Sequence, residues 1–322
     1  MDAIDAPVHR PILTAEILDL LQLSPGARCI DGTIDGGGHT AAILERTAPD
    51  GAVLGIDRDP ELLTAVRRRL ADAVDAGRLH LASGNFRELT RIATVRHFAS
   101  VQAIVLDLGL SSFHFDVSGR GFSFMRNEPL DMRFNADDPS SESAAELLRT
   151  RSAAELEAIF GSFGEERYAG RIARSIAAQR EREPVQTTQQ LFDLVAAALP
   201  GKVRWRAARS AARVFQALRI AVNDELDAIA EVLPQALSLL APGGRLAVLA
   251  FHSLEDRIVK RFFVAEQHAG RLRILTRKPL RPSDAEIAAN PRAASAKLRV
   301  CECLPGIVET TSKRAGQQTT DR

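Results

Sequence analysis

The chain has 322 residues, 45% of them hydrophobic and 26% charged, with a formal net charge of +1; that describes a globular protein of one large or two smaller domains and excludes a disordered or fibrous chain. No run of about eighteen apolar residues occurs, and the start, MDAIDAPVHRPIL, has no basic segment leading into an apolar one, so a cytoplasmic protein is expected rather than a secreted or membrane one. Three cysteines, Cys29, Cys301 and Cys303, offer only a C-E-C pair, a spacing poor for a disulfide or for zinc, so no metal is expected and a reducing compartment fits.

The first hundred residues alternate short β-rich runs with helical patterns. ARCIDGT, AVLGIDRD, RLHLASGNF and VQAIVLDLGL read as strands, and HTAAILERTA, PELLTAVRRRLADAVDA and RELTRIATVRHFA between them carry apolar residues at helical spacing. That rhythm predicts a doubly wound α/β domain. After Leu110 a long polar and aromatic segment, SSFHFDVSGRGFSFMRNEPLDMRFNADDPSSES, cannot be a sheet strand, and from Ser143 to Leu199 the pattern is helical, with Ser141 and Ser152 as N-cap candidates. Residues 114–212 are therefore expected to form an inserted, mainly helical domain within an α/β domain made of 1–113 and 213–322. The α/β rhythm resumes with SAARVFQALRIAVNDELDAIAEVLPQALSLLA, which Pro234 is placed to kink. The strand APGGRLAVLAFHS, the helix LEDRIVKRFFVAEQHA and two late strands, RLRILTRK and SAKLRVCECL, follow. The polar last dozen residues are expected to fray.

DGTIDGGGHT, residues 31–40, holds four glycines between a strand and a helix, a density that suggests backbone lying close to a ligand. A P-loop would need a lysine after the glycines, and none follows. A dinucleotide site is partly met, because Asp57 ends the next strand nineteen residues after Gly38, but the glycines are contiguous and run directly into His39. A ligand without phosphates suits the loop better, and S-adenosylmethionine is one. Its ribose calls for a carboxylate at the end of the second strand, its amino-acid tail for a glycine loop, and its sulfonium for a nearby negative charge. Asp31 and Asp107, ending the first and fourth strands, are placed to line that crevice, and the APGG turn before a buried strand agrees with a methyltransferase sheet. His80 reads as structural, and Cys29 as core.

Charge is unevenly distributed. GKVRWRAARSAARVFQALRI carries Lys202, Arg204, Arg206, Arg209, Arg213 and Arg219 with no acidic residue and with Trp205 embedded, and a second basic stretch includes Arg257, Lys260 and Arg261. Each alone could be a solvated helix face; together they point to a polyanionic partner. His252 and Ser253, after the fifth strand, either contact the substrate or cap the following helix.

HRPIL, DGTIDGGGHT, GIDRDP, LDLGLSS, GRGFSFMRNEPLDMR, FGEERYAGRIARSI, FQALRIAVNDEL, LAPGGRLAVLAFHSLEDRIVKRFF and NPRAASAKLRV together resemble the bacterial ribosomal RNA small subunit methyltransferase H family, also called MraW, over nearly the whole chain. The resemblance implies a Rossmann-like class I methyltransferase and S-adenosylmethionine-dependent methylation of the exocyclic N4 of a cytidine in the decoding, P-site region of 16S ribosomal RNA within the small subunit. It implies cofactor contacts at Gly37, Gly38, His39, Asp57, Phe86, Asp107 and His114. Two positions depart from the family pattern: its loop reads G-x-G-G-H, whereas Asp35 stands at the first glycine, and it often has glutamine where this chain has His114. Where related amino-methyltransferases carry D/N-P-P-Y, this chain has DLGLSS, so Asp107, Ser111 or Ser112 is expected to accept an amino proton while an aromatic of FHF or GFSF stacks on the base. Lys202, Arg204, Arg206, Arg209, Arg213, His252 and Lys260 are the expected RNA contacts. A non-catalytic S-adenosylmethionine-binding assembly factor, a methyltransferase acting on DNA or free nucleotides and, more distantly, a nicotinamide dehydrogenase remain the alternatives.

Overall fold

The computed structural model describes residues 11–305; His9, Arg10 and the polar end of the chain lie outside the described residues. In chain order the helices are α1 (Thr14–Leu21), α2 (Gly38–Arg46), α3 (Pro60–Arg69), α4 (Ala71–Asp75), α5 (Leu89–Val95), α6 (Ser112–Asp116), α7 (Ala144–Thr150), α8 (Ala153–Ser162), α9 (Ala169–Arg180), α10 (Thr188–Ala198), α11 (Ala207–Asn223), α12 (Glu225–Leu239), α13 (Ser253–His268) and α14 (Asp284–Ala289). The strands are β1 (Arg28–Asp31), β2 (Ala52–Asp57), β3 (Leu79–Ser83), β4 (Val101–Asp107), β5 (Leu240–Ala250), β6 (Leu272–Ile274) and β7 (Lys297–Cys303). They form one seven-stranded sheet in the order β3-β2-β1-β4-β5-β7-β6. β1 pairs in parallel with β2 and β4, β4 with β5, while β7 runs antiparallel to both β5 and β6. The expected α/β sheet is thus present, closed by an antiparallel edge.

The central strands read as near-continuous apolar runs because both faces are covered, as expected of parallel strands. Cys29, Ile30, Val53, Leu54, Ile56, Ile104, Leu106, Leu246 and Leu249 are fully buried. All three cysteines are free, and burial pushes the Cys29 thiol up to about 12, which leaves it a small core hydrophobe. The APGG segment is not a turn before β5 but lies within it, as an irregularity against β4 between Val101 and Ala103, with Gly243 at φ 79°. Chain order reverses at β1 and β4, and in such sheets ligands bind beyond the carboxyl ends of the strands at that point.

The chain divides into two compact units. One comprises Pro11–Ile56, Leu70–Leu108 and the chain from Ile229 onward, with the sheet; the other comprises Asp57–Arg69 and Gly109–Ala228 and is helical. The helical unit has its own core, in which Leu147, Leu156, Phe160, Ile172, Ile176, Leu191 and Val195 pack with Val214, Phe215 and Leu218. Those last three belong to α11, which the sequence reading gave to the returning α/β domain. An amphipathic period shows that a helix has an apolar face, not which core receives it. Capping boxes start α7, α8 and α10 at Ser143, Ser152 and Thr187. Ser143 thus replaces the expected Ser141, because only Ser143 has a glutamate, Glu146, three positions on to answer its backbone N–H. No helix among the described residues is long and apolar enough to cross a membrane.

Candidate functional site

In the sheet unit, β1 delivers Asp31 and β4 delivers Asp107 to one edge, both nearly inaccessible to solvent. The chain leaving β1 is laced onto β4: Gly32 N–H donates to the Val105 carbonyl at 2.9 Å and Asp107 N–H to the Thr33 hydroxyl at 2.6 Å. Gly32 permits this approach, since a Cβ there would lie 2.6 Å from Leu106. The same virtual Cβ would be 3.9 Å from Phe86, so the half-buried Phe86 borders this corner, on a 3₁₀ turn capped by Asn85.

The glycine loop has internal reasons for its composition that the sequence reading assigned to a ligand. Gly37 N–H closes a turn onto the Ile34 carbonyl at 2.7 Å, and Gly37 itself sits at φ 74°. A Cβ on Gly38 would come within 2.8–3.0 Å of three Pro11 ring atoms. Asp35 is also left-handed, at φ 46°, a region where glycine is easiest and aspartate among the tolerated residues. The backbone conformation at this position is thus one that either glycine or this chain's aspartate can adopt. Gly37 caps α2 without a side-chain hydrogen bond, leaving the start of the helix to offer backbone N–H groups.

His39, one residue into α2, is buried, with its Nε2 3.3 Å from the Asp107 carboxylate. Its Nδ1 is buried with no hydrogen-bond partner among the described residues, a position that an incoming polar group would satisfy. Burial lowers the histidine's affinity for its proton, but the Asp107 and Asp31 carboxylates outweigh that and hold it above its ordinary value. Asp31 accepts the Thr40 hydroxyl at 2.6 Å, yet burial pushes its carboxyl up to about 6. No lysine or arginine stands in residues 31–40, and carboxylates close β1, β2 and β4. Such a donor set suits a ligand with hydroxyls and a positive charge and is poor for phosphate. Asp57 is half-buried at the end of β2, its Oδ1 accepting Asp59 N–H at 2.9 Å.

The helical unit holds a second polar cluster. Ser111 caps α6, and its Oγ lies 2.9 Å from His114 Nδ1. On the other side, His114 Nε2 is 3.3 Å from Asp59, which Arg120 approaches at 2.8 Å. Ser111 and Asp59 thus each address one of the two ring nitrogens. Burial alone would raise the Asp59 pKa; contacts with His114 and Arg120 outweigh it and hold the carboxyl below its usual range. Phe113, Phe122 and Phe134 meet the imidazole edge-on at 5.2–5.8 Å. The sequence reading named His114 and Ser111 but missed Asp59 and Arg120. The signal available was the second aspartate of GIDRDP and the arginine of GRGF.

Other expected contacts divide. Ser111 is buried and engaged as described, while Ser112 is half-buried. Of the aromatic candidates, Phe122, Phe115 and Phe124 pack into the helical core and Phe113 does not. His252 takes the helix-capping alternative: it caps α13 reciprocally with Glu255, whose carboxylate accepts Phe251 N–H at 2.7 Å and His252 N–H at 3.1 Å. Lys202, Arg204, Arg206 and Arg209 are exposed and have no acidic partner among the described residues, whereas Arg213 lies 3.8 Å from buried Glu166. Lys260 is exposed on α13.

The chain matches the MraW methylase family over residues 6–304. It is 48% identical over 311 residues to the ribosomal RNA small subunit methyltransferase H of Syntrophotalea carbinolica, covering 92% of this chain and 98% of that one. To the protein of the same name from Thermomicrobium roseum it is 50% identical over 309 residues, covering 91% and 93%. Among solved structures, TrmN from Thermus thermophilus superposes with a TM-score of 0.40 at 15% identity, covering 91% of this chain and 48% of that chain.

Proposed function

The chain belongs to the MraW methylase family, and from that premise we propose that it methylates 16S ribosomal RNA with S-adenosylmethionine, at the exocyclic N4 of a cytidine in the decoding, P-site region. The observation that carries this reading is the buried His39–Asp107 pair beside the glycine turn, an anionic, phosphate-averse corner at the switch point of the sheet. Gly37, Gly38, His39, Phe86 and Asp107 would hold the cofactor, with Asp57 at the end of β2 for the ribose; the role of His114 rests on the family resemblance. When bound, S-adenosylmethionine supplies a methyl group on a positively charged sulfur.

Cytosine N4 is a poor nucleophile because its lone pair is delocalised into the ring, so the chain's task is to aim it. Asp107 would accept a hydrogen bond from the amino group, orienting its lone pair and stabilising the positive charge that nitrogen gains, and would take the amino proton that the methylated nitrogen then releases. His39, its Nε2 3.3 Å from the carboxylate, holds Asp107 in place. Ser111 acts through His114 rather than as an independent base, since its Oγ is already engaged with the imidazole Nδ1 at 2.9 Å. Alignment of the two reactants contributes about 7 kcal/mol or more when well oriented. The insert 114–212 serves substrate recognition, and the exposed cations Lys202, Arg204, Arg206 and Arg209 hold phosphates flanking a base that has left its stack. The small ribosomal subunit in the cytoplasm is the partner.

The test is mass spectrometry of 16S RNA from cells lacking the gene, paired with labelled methyl transfer by the purified chain to small subunits, naked RNA and DNA. A missing methyl on one cytidine, restored by the chain, is expected. An unchanged methylation map with no transfer in vitro leaves the non-catalytic assembly-factor reading instead.

A further inference from the structure

Trp205 is the only tryptophan of the chain and is 76% exposed, although an indole is among the side chains that gain most from burial. It sits in the 3₁₀ turn Gly201–Arg206, which leads into α11. The Arg206 guanidinium lies 4.5 Å from its ring centroid, a cation–π contact that orients the ring while leaving most of the indole open. Lys202, Arg204, Arg206 and Arg209 surround it in sequence, all exposed and without an acidic partner among the described residues. An open aromatic face set among four unpaired cations matches a polyanion that also carries flat apolar groups. A duplex hides its bases in the stack; an unpaired strand offers them.

We propose that the turn Gly201–Arg206 is a contact for unpaired RNA in which the Trp205 indole stacks on a nucleobase other than the one methylated, while Lys202, Arg204, Arg206 and Arg209 hold the adjacent phosphates. The stacked base is a neighbour of the target because a ring so open to water cannot provide the enclosed environment that the reacting base needs. This rests on the reading that the chain acts on RNA, and deepens it: the contact selects a region where a flanking nucleotide is unstacked, through shape rather than base identity, since every base has a π-face.

The single tryptophan makes the test direct. The full-length chain is titrated with a 12-nucleotide unstructured RNA, a duplex of the same length, and heparin, while tryptophan emission is followed and binding is measured independently by filter retention. Saturable quenching is expected with the unpaired RNA and little with the duplex or heparin at equal occupancy. Trp205→Ala should weaken binding of the unpaired RNA about ten-fold, Trp205→Phe should retain most of it, and circular dichroism melting of both variants reports whether they fold. Unpaired RNA that binds without quenching, and binds Trp205→Ala as tightly as the parent, overturns the stacking contact while leaving the phosphate grip intact. Equal quenching by heparin also overturns it. Failure of every RNA to bind overturns the RNA reading itself.

Discussion

Replacing Asp59 by Asn tests whether the buried cluster around His114 is an electrostatic anchor or incidental packing. The Asp59 side chain is fully buried; it is contacted by Arg120 at 2.8 Å and His114 at 3.3 Å and accepts Glu61 N–H at 2.9 Å at the start of α3. Asparagine keeps the shape and the oxygen that caps α3, but it puts an amide N–H₂ where the other carboxylate oxygen faced Arg120 and His114, so the substitution removes the charge and that acceptor together. Breaking one side of a buried ion pair costs about 3–5 kcal/mol, because the surviving charge is left uncompensated. Arg120 retains Glu61 at 3.0 Å and the Phe134 carbonyl at 2.7 Å, which places the loss near the lower bound, at roughly 3 kcal/mol. At a slope of about 2 kcal/mol per molar, the urea midpoint followed by far-ultraviolet circular dichroism should fall by roughly 1.5 M. In the double variant Asp59→Asn/Arg120→Met no buried charge is left unpaired, and the loss should shrink to about 1 kcal/mol. The Asp59 contribution is present above the ordinary carboxylate range, near pH 4, and disappears as pH falls through the lowered folded value. The gap between parent and variant should therefore close in acid. A single-variant loss below about 1 kcal/mol, or a double variant as unstable as the sum of the two singles, refutes the anchor.

Asp107→Ala should reduce methyl transfer by roughly 100-fold or more at saturating cofactor if its carboxylate orients the amino group; near-parental turnover removes it from that role. Asp31, with its folded carboxyl pushed up to about 6, keeps a proton that the unfolded chain releases near pH 4. The parent should lose stability as pH rises through that window, and Asp31→Asn should flatten the dependence measured by urea unfolding at stepped pH. His39, also raised, acts in the same direction. Removing the charges of Arg206 and Arg209 together should lower the salt slope of RNA binding by about 1.4, at ~0.7 per phosphate contact on a single strand, with cofactor affinity unchanged by calorimetry. Asp35→Gly should change unfolding stability by less than about 1 kcal/mol, whereas Asp35→Val, which forces a β-branched residue to φ 46°, should cost more than that.

Much of this protein was legible without coordinates, for identifiable reasons. Apolar runs such as VLGI and AIVL read as buried strands because two covered faces require them. The strand-end aspartates Asp31, Asp57 and Asp107 were legible as a set because each closes such a run. Less legible was anything that depended on a partner distant in sequence. Asp59 is separated from Arg120 by sixty-one residues, and no local pattern links them. His252 carried two equal readings until the reciprocal bonds with Glu255 gave its ring to the helix cap. The glycines of the loop were read as clearance for a ligand, yet Gly38 makes room for Pro11, some twenty-seven residues away.

The amino-acid sequence by itself determined the element types, the anionic character of the strand ends and the family. These follow from period, local chemistry and motif, which are properties of short segments. Tertiary structure alone decided which core received α11, that His39 is fastened to Asp107, that Ser111 and Asp59 flank one imidazole, and that Arg213 is drawn to Glu166 while Arg206 lies over Trp205 with no acidic partner among the described residues. Each of these depends on which segments pack together, and burial then sets what a charge costs and whether a neighbour can offset it.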